Sequence, residues 1–564
     1  MQRALDQSLA QLEAAGLLHQ VATRLELEYL FRHALIQEAA YWSLLRTDRK
    51  LLHEIVAATL EQIYPDRLAD LAPLLAYHFQ LAGAEARARH YYMRAADQAL
   101  TNYANAEAEA HYRAALALAP PDAEQAPLLV GLGEALYRAS RFAAARETWR
   151  AAIPIYLAHG DLDRVARLYA QMAAAAWWLR DTPGRLALCR EGLAAVAAGP
   201  ETPGRAALLH ELARAHLNAG ALTETAAVGR QALVMATRVG AGEVRADALV
   251  TLASLRQMPP DENRALLRQA VDLAESAGLL KTARRAHWHL AKALAEVPDP
   301  PAARHHYQQA IALARRRGVA AEEFHALYAL GTTLVLWSEL AAATAILQRL
   351  EELGGDIDNP TEARLGVTLL RGPILYQQGD LAAALALLEA QQAEARDQPN
   401  LPARVAIHLI LGELLLVTGA WAGAELALLE AIAVADPLAL EDQEPRCLLS
   451  TVYARQGRLA EARQVLDQAA QRMDPAPRFT NQISLLLAQA RLAAAEGAWP
   501  DALAGFAAGA ALQAQQQRPW YRARTLEEWA AALLARAAPG DPAQATALLQ
   551  EAQAIFTDLG VPVW

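Results

Sequence analysis

The sequence predicts an all-α fold: an α-solenoid of about twelve helical pairs with a short N-terminal segment of different character. The first observation is periodic. A small residue returns about every 40 positions, at Ala96, Gly133, Ala173, Ala213, Ala253, Ala291, Gly331, Gly372, Gly412, Ser450, Ala490 and Ala530, and a period of this length marks a stacked helical array. The second is a companion column twelve residues further on, at Ala108, Ala145, Ala303, Ala343, Ala384, Ala424, Ala462 and Ala502. The third is a glycine between the two columns, at Gly220, Gly379, Gly419, Gly457 and Gly497. Glycine there closes one helix through the left-handed conformation before the next begins.

The first eighty residues stand outside this period. Gln2–Ala15 reads as a helix ended by Gly16, Leu17–Gln20 and Leu25–Phe31 as short extended runs, and Arg32–Leu45 and Arg49–Ile63 as amphipathic helices. The expected organisation is therefore 1–80 as one segment and 81–564 as the array. A chain of 564 residues exceeds one compact core, and a solenoid resolves this because its core grows in one dimension.

Within the array, residues 409–436 show the logic of one unit. An apolar-periodic helix stops at Gly419, and a second runs from Trp421 to about Ala435 with Ala424, Leu428 and Ala431 on one stripe. Neither helix is long enough to be stable alone. Each must bury its stripe on its partner and on the next pair, and the small columns let the axes approach. The apolar tail Val561–Val563 and Trp564 are expected to cap the last helix or meet a partner.

These residues resemble the tetratricopeptide repeat. Gly412, Gly419, Ala424, Leu428 and Ala431 stand at its small, turn, small, large and small positions; Ser450, Tyr453, Gly457, Ala462, Leu466 and Ala469 repeat the pattern. The usual repeat is about 34 residues, so these helices are longer, as in arrays of large bacterial regulators. The copies at Ala173 and Ala253 fit poorly. The resemblance implies a right-handed superhelix. The string Tyr29–Tyr41 with Leu44, Leu45, Arg49 and His53 is similar to the junction between an AAA-type or STAND-type signalling ATPase and its tetratricopeptide array, found in adenylate- or guanylate-cyclase proteins and in large transcriptional activators similar to MalT. It implies that residues 1–80 are a winged-helix remnant and that an ATPase precedes it.

Composition and motifs narrow the function. The net charge of −10 disfavours nucleic acid as a partner. Cys189 and Cys447 lie far apart within helical runs and read as buried thiols in a reducing compartment. The N-terminus lacks a signal-peptide pattern, and runs such as Ala326–Ser338 are too short to span a bilayer, so a cytoplasmic location is expected. The three lysines, Lys50, Lys281 and Lys292, none preceded by glycine, exclude a phosphate-cradling Gly-Lys loop. His210 and His216 are six apart, not the four that would share a helix face for zinc, and His287 and His289 diverge. No catalytic constellation, metal site or cofactor is predicted.

The resemblance also implies which side chains line the concave face: those six before, three before, one after and four after the first column. This rule gives Arg167 and Trp177; His210, Arg214 and Leu217; Arg285, Trp288 and Lys292; and His325, Tyr328 and Thr332. Arg284, Arg304 and Arg315–Arg317 lie nearby. A cationic, aromatic groove on an acidic protein suits an acidic peptide or an anionic small molecule. The alternative is an ordinary helix face neutralised by neighbouring glutamates. The function expected is a sensory, protein-interaction module of a signalling ATPase or cyclase-type regulator. A standalone scaffold for assembling protein complexes, with self-association through the array's ends, is the rival. In relatives that regulate sugar genes the array binds a small inducer.

Overall fold

A computed structural model describes residues 2–22, 27–118, 120–255, 258–297, 299–357, 359–395, 400–436, 443–473 and 479–562. Leu25 in the second expected extended run, and Val563 and Trp564 in the expected cap, lie outside them. Among the described residues there are 28 α-helices and one two-stranded sheet. None of these helices is long and apolar enough to cross a membrane.

Two compact units divide the chain, Met1–Leu132 and Gly133–Trp564. The first opens with the helix Gln2–Ala14 and a hairpin of Leu18–Ala22 against Leu27–Phe31, antiparallel with Leu18 opposite Phe31. The helices Ala34–Ser43 and Arg46–Ile63 follow. The Tyr41 hydroxyl lies 3.1 Å from His53 Nε2, and His53 Nδ1 lies 2.8 Å from His78 Nδ1. The Arg49 guanidinium stacks over Trp42. The helix Ala34–Ser43 has no buried residue and Arg46–Ile63 buries only Ala57, so Leu35, Trp42, Leu45, Leu51 and Ile55 face outward.

Among the described residues from Glu85–Thr101 to Asp541–Leu559 there are twelve consecutive helical pairs. The columns read from sequence form their seams. Every non-glycine member of the first column from Ala96 to Ala530 is buried, and all eight alanines of the second are completely so. The glycines mark the closest approaches. A Cβ on Gly133 would sit 2.2 Å from Trp149, and one on Gly412 would sit 2.6 Å from Leu428. At Ser450 the approach is close enough for its hydroxyl to donate to the Ala462 carbonyl at 2.8 Å, joining the two columns.

The poorly fitting copy at Ala173 has a physical reason. Its second-column position holds Arg185, buried to 1%, whose guanidinium pairs with Glu211 and bonds Asn218.

The inter-helix turns carry a second message. Gly220, Gly379, Gly419, Gly457 and Gly497 have φ between 74° and 87°. At the same place in other pairs stand Ser140, Arg180 and Ser338, with φ of 58–60°, a conformation that costs an L-residue about 1–2 kcal/mol. Each uses its side chain for a long-range contact. The Ala321 N–H donates to Ser140 Oγ at 3.1 Å and the Trp520 N–H to Ser338 Oγ at 3.3 Å; Arg180 donates to Glu362 at 3.0 and 2.5 Å. The partners are 181 or 182 residues apart. Within the second unit, therefore, the pairs wind into a superhelix tight enough for successive turns to touch.

Candidate functional site

Because the turns touch, the concave faces of the pairs do not form an open groove. Among the described residues they line a partly enclosed lumen that holds three adjoining cavities. A polar one of about 220 Å³ and an aromatic one of about 490 Å³ share Trp178, Trp288 and His325 as walls. The aromatic cavity and a third of about 450 Å³ share Leu336, Thr480 and Arg518.

Eight of the nine side chains expected at the site converge here. Trp177, Arg214, Arg285, Trp288 and His325 line the polar cavity, and Trp288, Lys292, His325 and Tyr328 line the aromatic one. His210 sits behind the polar wall, bonded to Thr251 at 2.9 Å. The exception is Arg167, which is exposed and paired with Asp163 at 2.7 Å. Leu217 and Thr332 also line the lumen.

The polar cavity is a charge network. Arg285 bonds Asp247 Oδ1 at 2.8 Å and Thr251 at 2.6 Å. Glu211 takes Arg214 at 2.7 Å and Arg185, while Glu322 takes Arg284 at 3.1 Å and Arg317. Burial pushes the Glu211 carboxyl upward, but Arg214 and Arg185 hold it well below the usual range. Burial also pulls His210 down to about 3 and, with repulsion from Arg214, pulls Arg285 down to about 10. His289 and His325 are held well below the ordinary histidine value by burial and then by surrounding cations, including Arg285 for His289 and Arg284 for His325. The imidazoles are thus neutral at pH 7, while nearby carboxylates raise Lys281 and Arg214 against the pull of burial.

The aromatic cavity differs in character. Trp288 and His325 lie 4.6 Å apart with rings tilted at 31°, Trp177 meets His325 edge-on, and the Lys292 ammonium is 4.7 Å from the Trp288 ring centroid. Phe142, Trp178 and Phe324 complete the apolar wall. Burial raises the Tyr328 hydroxyl to about 12, helped by Glu362. In the third cavity, burial and the neighbouring Glu444 raise Glu413 to about 7.

Sequence reasoning missed Trp178, Asp247, Glu211 and Glu362 as parts of this site. Asp247 stands six before Ala253, so the inward rule already pointed to it, but that copy matched the repeat poorly. Glu362 carried one indirect signal, since its partner Arg180 stands where a turn glycine belongs. His287 turns away to His306 and Glu275, while His289 bonds Ser254. Cys189 and Cys447 are both buried free thiols, pushed up to about 12 by burial.

No protein-family profile matches the chain, and no curated protein does. Several solved structures are similar. A Rap protein complexed with competence and sporulation factor is 12% identical over 64% of this chain and 99% of its own, with a TM-score of 0.49. Cut9 of the APC/C Cut9–Hcn1 hetero-tetramer is 12% identical over 83% and 87%, at 0.43, and yeast Tom70 is 12% identical over 82% and 99%, at 0.35. At these scores the likenesses add nothing to the fold read from the helices themselves.

Proposed function

We propose that the chain is a non-catalytic sensory and protein-interaction module whose ligand, a short peptide or an anionic small molecule, binds inside the superhelical lumen. The observation that carries this is the convergence of Trp178, Trp288, Phe324 and Tyr328, with Lys292 and the polar network beside them, on one partly enclosed cavity of about 490 Å³. Enclosed, mostly apolar cavities with a few placed polar groups are where small ligands bind. The contacts between superhelical turns favour a small ligand over a folded protein domain, which needs an open concave face. A protein partner has the exposed apolar side chains of residues 30–77 instead, among them Leu35, Trp42 and Leu45.

The finer reading places this module in a signal-transducing ATPase or cyclase-type regulator, with residues 1–80 as the winged-helix remnant. The helix, hairpin, helix order supports it. Ligand binding would then bias how the array meets its switch domain, which requires different affinity for two states. The test is capture from cell lysate by the full chain, read by mass spectrometry for proteins and small molecules, beside a Thr332→Trp variant that fills the aromatic cavity. A species lost only with the variant is expected. Equal recovery from both overturns the lumen as the site.

A further inference from the structure

We propose that the third cavity of the lumen binds a zwitterion, an α-amino acid or a short peptide, with its carboxylate on Arg518 and its ammonium on Glu413. This deepens the lumen-binding reading, commits it to one ligand class and rests on it.

The first observation is an arginine without an acceptor. Arg518 is 8% exposed and walls both the aromatic cavity and the third one. Among the described residues its guanidinium makes no hydrogen bond or ion pair. Burial holds it below the usual arginine value, while Tyr521, Glu444 and Glu296 act on it from a distance. The cations beside it are committed elsewhere. Arg491 forks onto Glu528 at 2.7 and 2.9 Å, Arg524 bonds Glu527 at 2.5 Å, and Arg455 is exposed. Arg518 also stands at the N-cap of the helix Pro519–Arg536, where the helix dipole favours an anion. A buried charge is unfavourable until paired, and the planar guanidinium fork fits the two oxygens of a carboxylate.

The second observation is a carboxyl without a donor. Glu413, half-buried on the helix Leu401–Val417, lines the same third cavity. Among the described residues it makes no hydrogen bond or ion pair. Glu444 and Cys447 face it from Gln443–Arg455, Arg491 from Phe479–Ala495, Tyr376 from Pro360–Gln377, and Tyr521, Arg524 and Glu528 from Pro519–Arg536. Burial and then Glu444 raise Glu413 to about 7 in spite of Arg491 and Arg524. A ligand ammonium brings three donors and a positive charge to the place where Glu413 and Glu444 repel.

The two groups together select the ligand. A dianion on Arg518 would meet Glu413, Glu444 and Glu528 across the cavity, and a simple cation on Glu413 would meet Arg518. One charge of each sign satisfies both, and Arg518 and Glu413 do not bond each other. The cavity of about 450 Å³ far exceeds the space of one water. The aromatic cavity, which shares Leu336, Thr480 and Arg518 with it, receives an apolar side chain.

Calorimetry on the full chain titrates phenylalanine, Gly-Phe and Gly-Gly-Phe, a ladder of spacings between one ammonium and one carboxylate. At least one is expected to bind, and its N-acetyl and carboxamide derivatives should each bind about tenfold more weakly or worse. Arg518→Met should erase the difference between acid and amide, and Arg518→Lys should recover part of it. The melting temperature of Arg518→Met should not fall, because its guanidinium holds no partner among the described residues. Glu413→Gln should erase the cost of acetylation. Binding at pH 7 should release about half a proton from Glu413, read by comparing phosphate and imidazole buffers and lost in Glu413→Gln. Binding by none of the three probes, or affinity indifferent to acetylation, to amidation or to Arg518→Met, overturns the zwitterion site. None of these results bears on the lumen itself, which fails only if the captured species ignores Thr332→Trp.

Discussion

Two glycines eleven residues apart, in one helical pair, should respond to the same substitution with opposite sign. Gly412 lies in the helix Leu401–Val417 and Gly423 in its partner Trp421–Ala435. A methyl on Gly412 would meet Leu428 Cγ at 2.6 Å and Cδ2 at 2.7 Å, where carbon atoms prefer 3.5–4.0 Å. Leu428 is completely buried and must retreat by roughly 1 Å into packed neighbours. Overpacking of this kind costs about 1–3 kcal/mol, and the helix propensity of alanine over glycine returns about 0.8–1 kcal/mol. Gly412→Ala should therefore destabilise by up to about 2 kcal/mol. At Gly423 the nearest atom is the mobile end of half-buried Leu415, at 3.3 Å. The propensity gain should dominate there, and Gly423→Ala should stabilise by about 0.5–1 kcal/mol. Gly133→Ala, 2.2 Å from the fully buried Trp149 indole, should be the most damaging of the three. Urea unfolding followed by circular dichroism gives the order of midpoints, and hydrogen exchange over residues 421–435 localises the effect, since repeat arrays respond to local interface changes. If Gly412→Ala raised the midpoint as Gly423→Ala does, the small column would not be a close-approach constraint and the reasoning would fail.

Other expectations follow from the site and the turns. Arg285→Ala leaves the half-buried Asp247 without its guanidinium and should cost about 1–3 kcal/mol, measurable as a lower melting temperature; a silent mutation would mean water already solvates Asp247. Arg285 is thus packed structure as well as lumen wall, so Trp288 and Lys292 are the better probes of binding. Ser338→Ala keeps the left-handed backbone but removes the acceptor of the Trp520 N–H, at about 1–3 kcal/mol. Exchange of the Trp520 amide should accelerate, and an unchanged rate would show that the superhelical turns do not depend on this contact. Glu413 has a folded pKa of about 7, raised by burial and by Glu444. The folded state therefore binds the extra proton between about pH 4.5 and 7, and stability should fall as pH rises through that window, by at most about 3 kcal/mol. Glu413→Gln should flatten that slope and be the more stable form at pH 8; an unaltered slope would place the titration elsewhere.

The order and register of the helices were legible in the sequence because they depend on local chemistry. Small residues recur where axes must approach, and glycine stands where a helix must close. Those positions are the buried columns and the left-handed turns of the structure. The cationic and aromatic character of the concave face was legible too, because side-chain direction along a helix is fixed by its period. The closure of that face was not. Whether the concave side is an open groove or a lumen depends on a small rotation between pairs, accumulated over about 180 residues, which no local pattern encodes. That rotation brings Arg180 to Glu362 and Ser338 to Trp520. Closer in, the packing of neighbouring pairs decides which acid meets which arginine: Asp247 reaches Arg285, 38 residues on. Residue types and their period determined the pairs and their inner face; only the tertiary winding turned that face into a partly enclosed cavity.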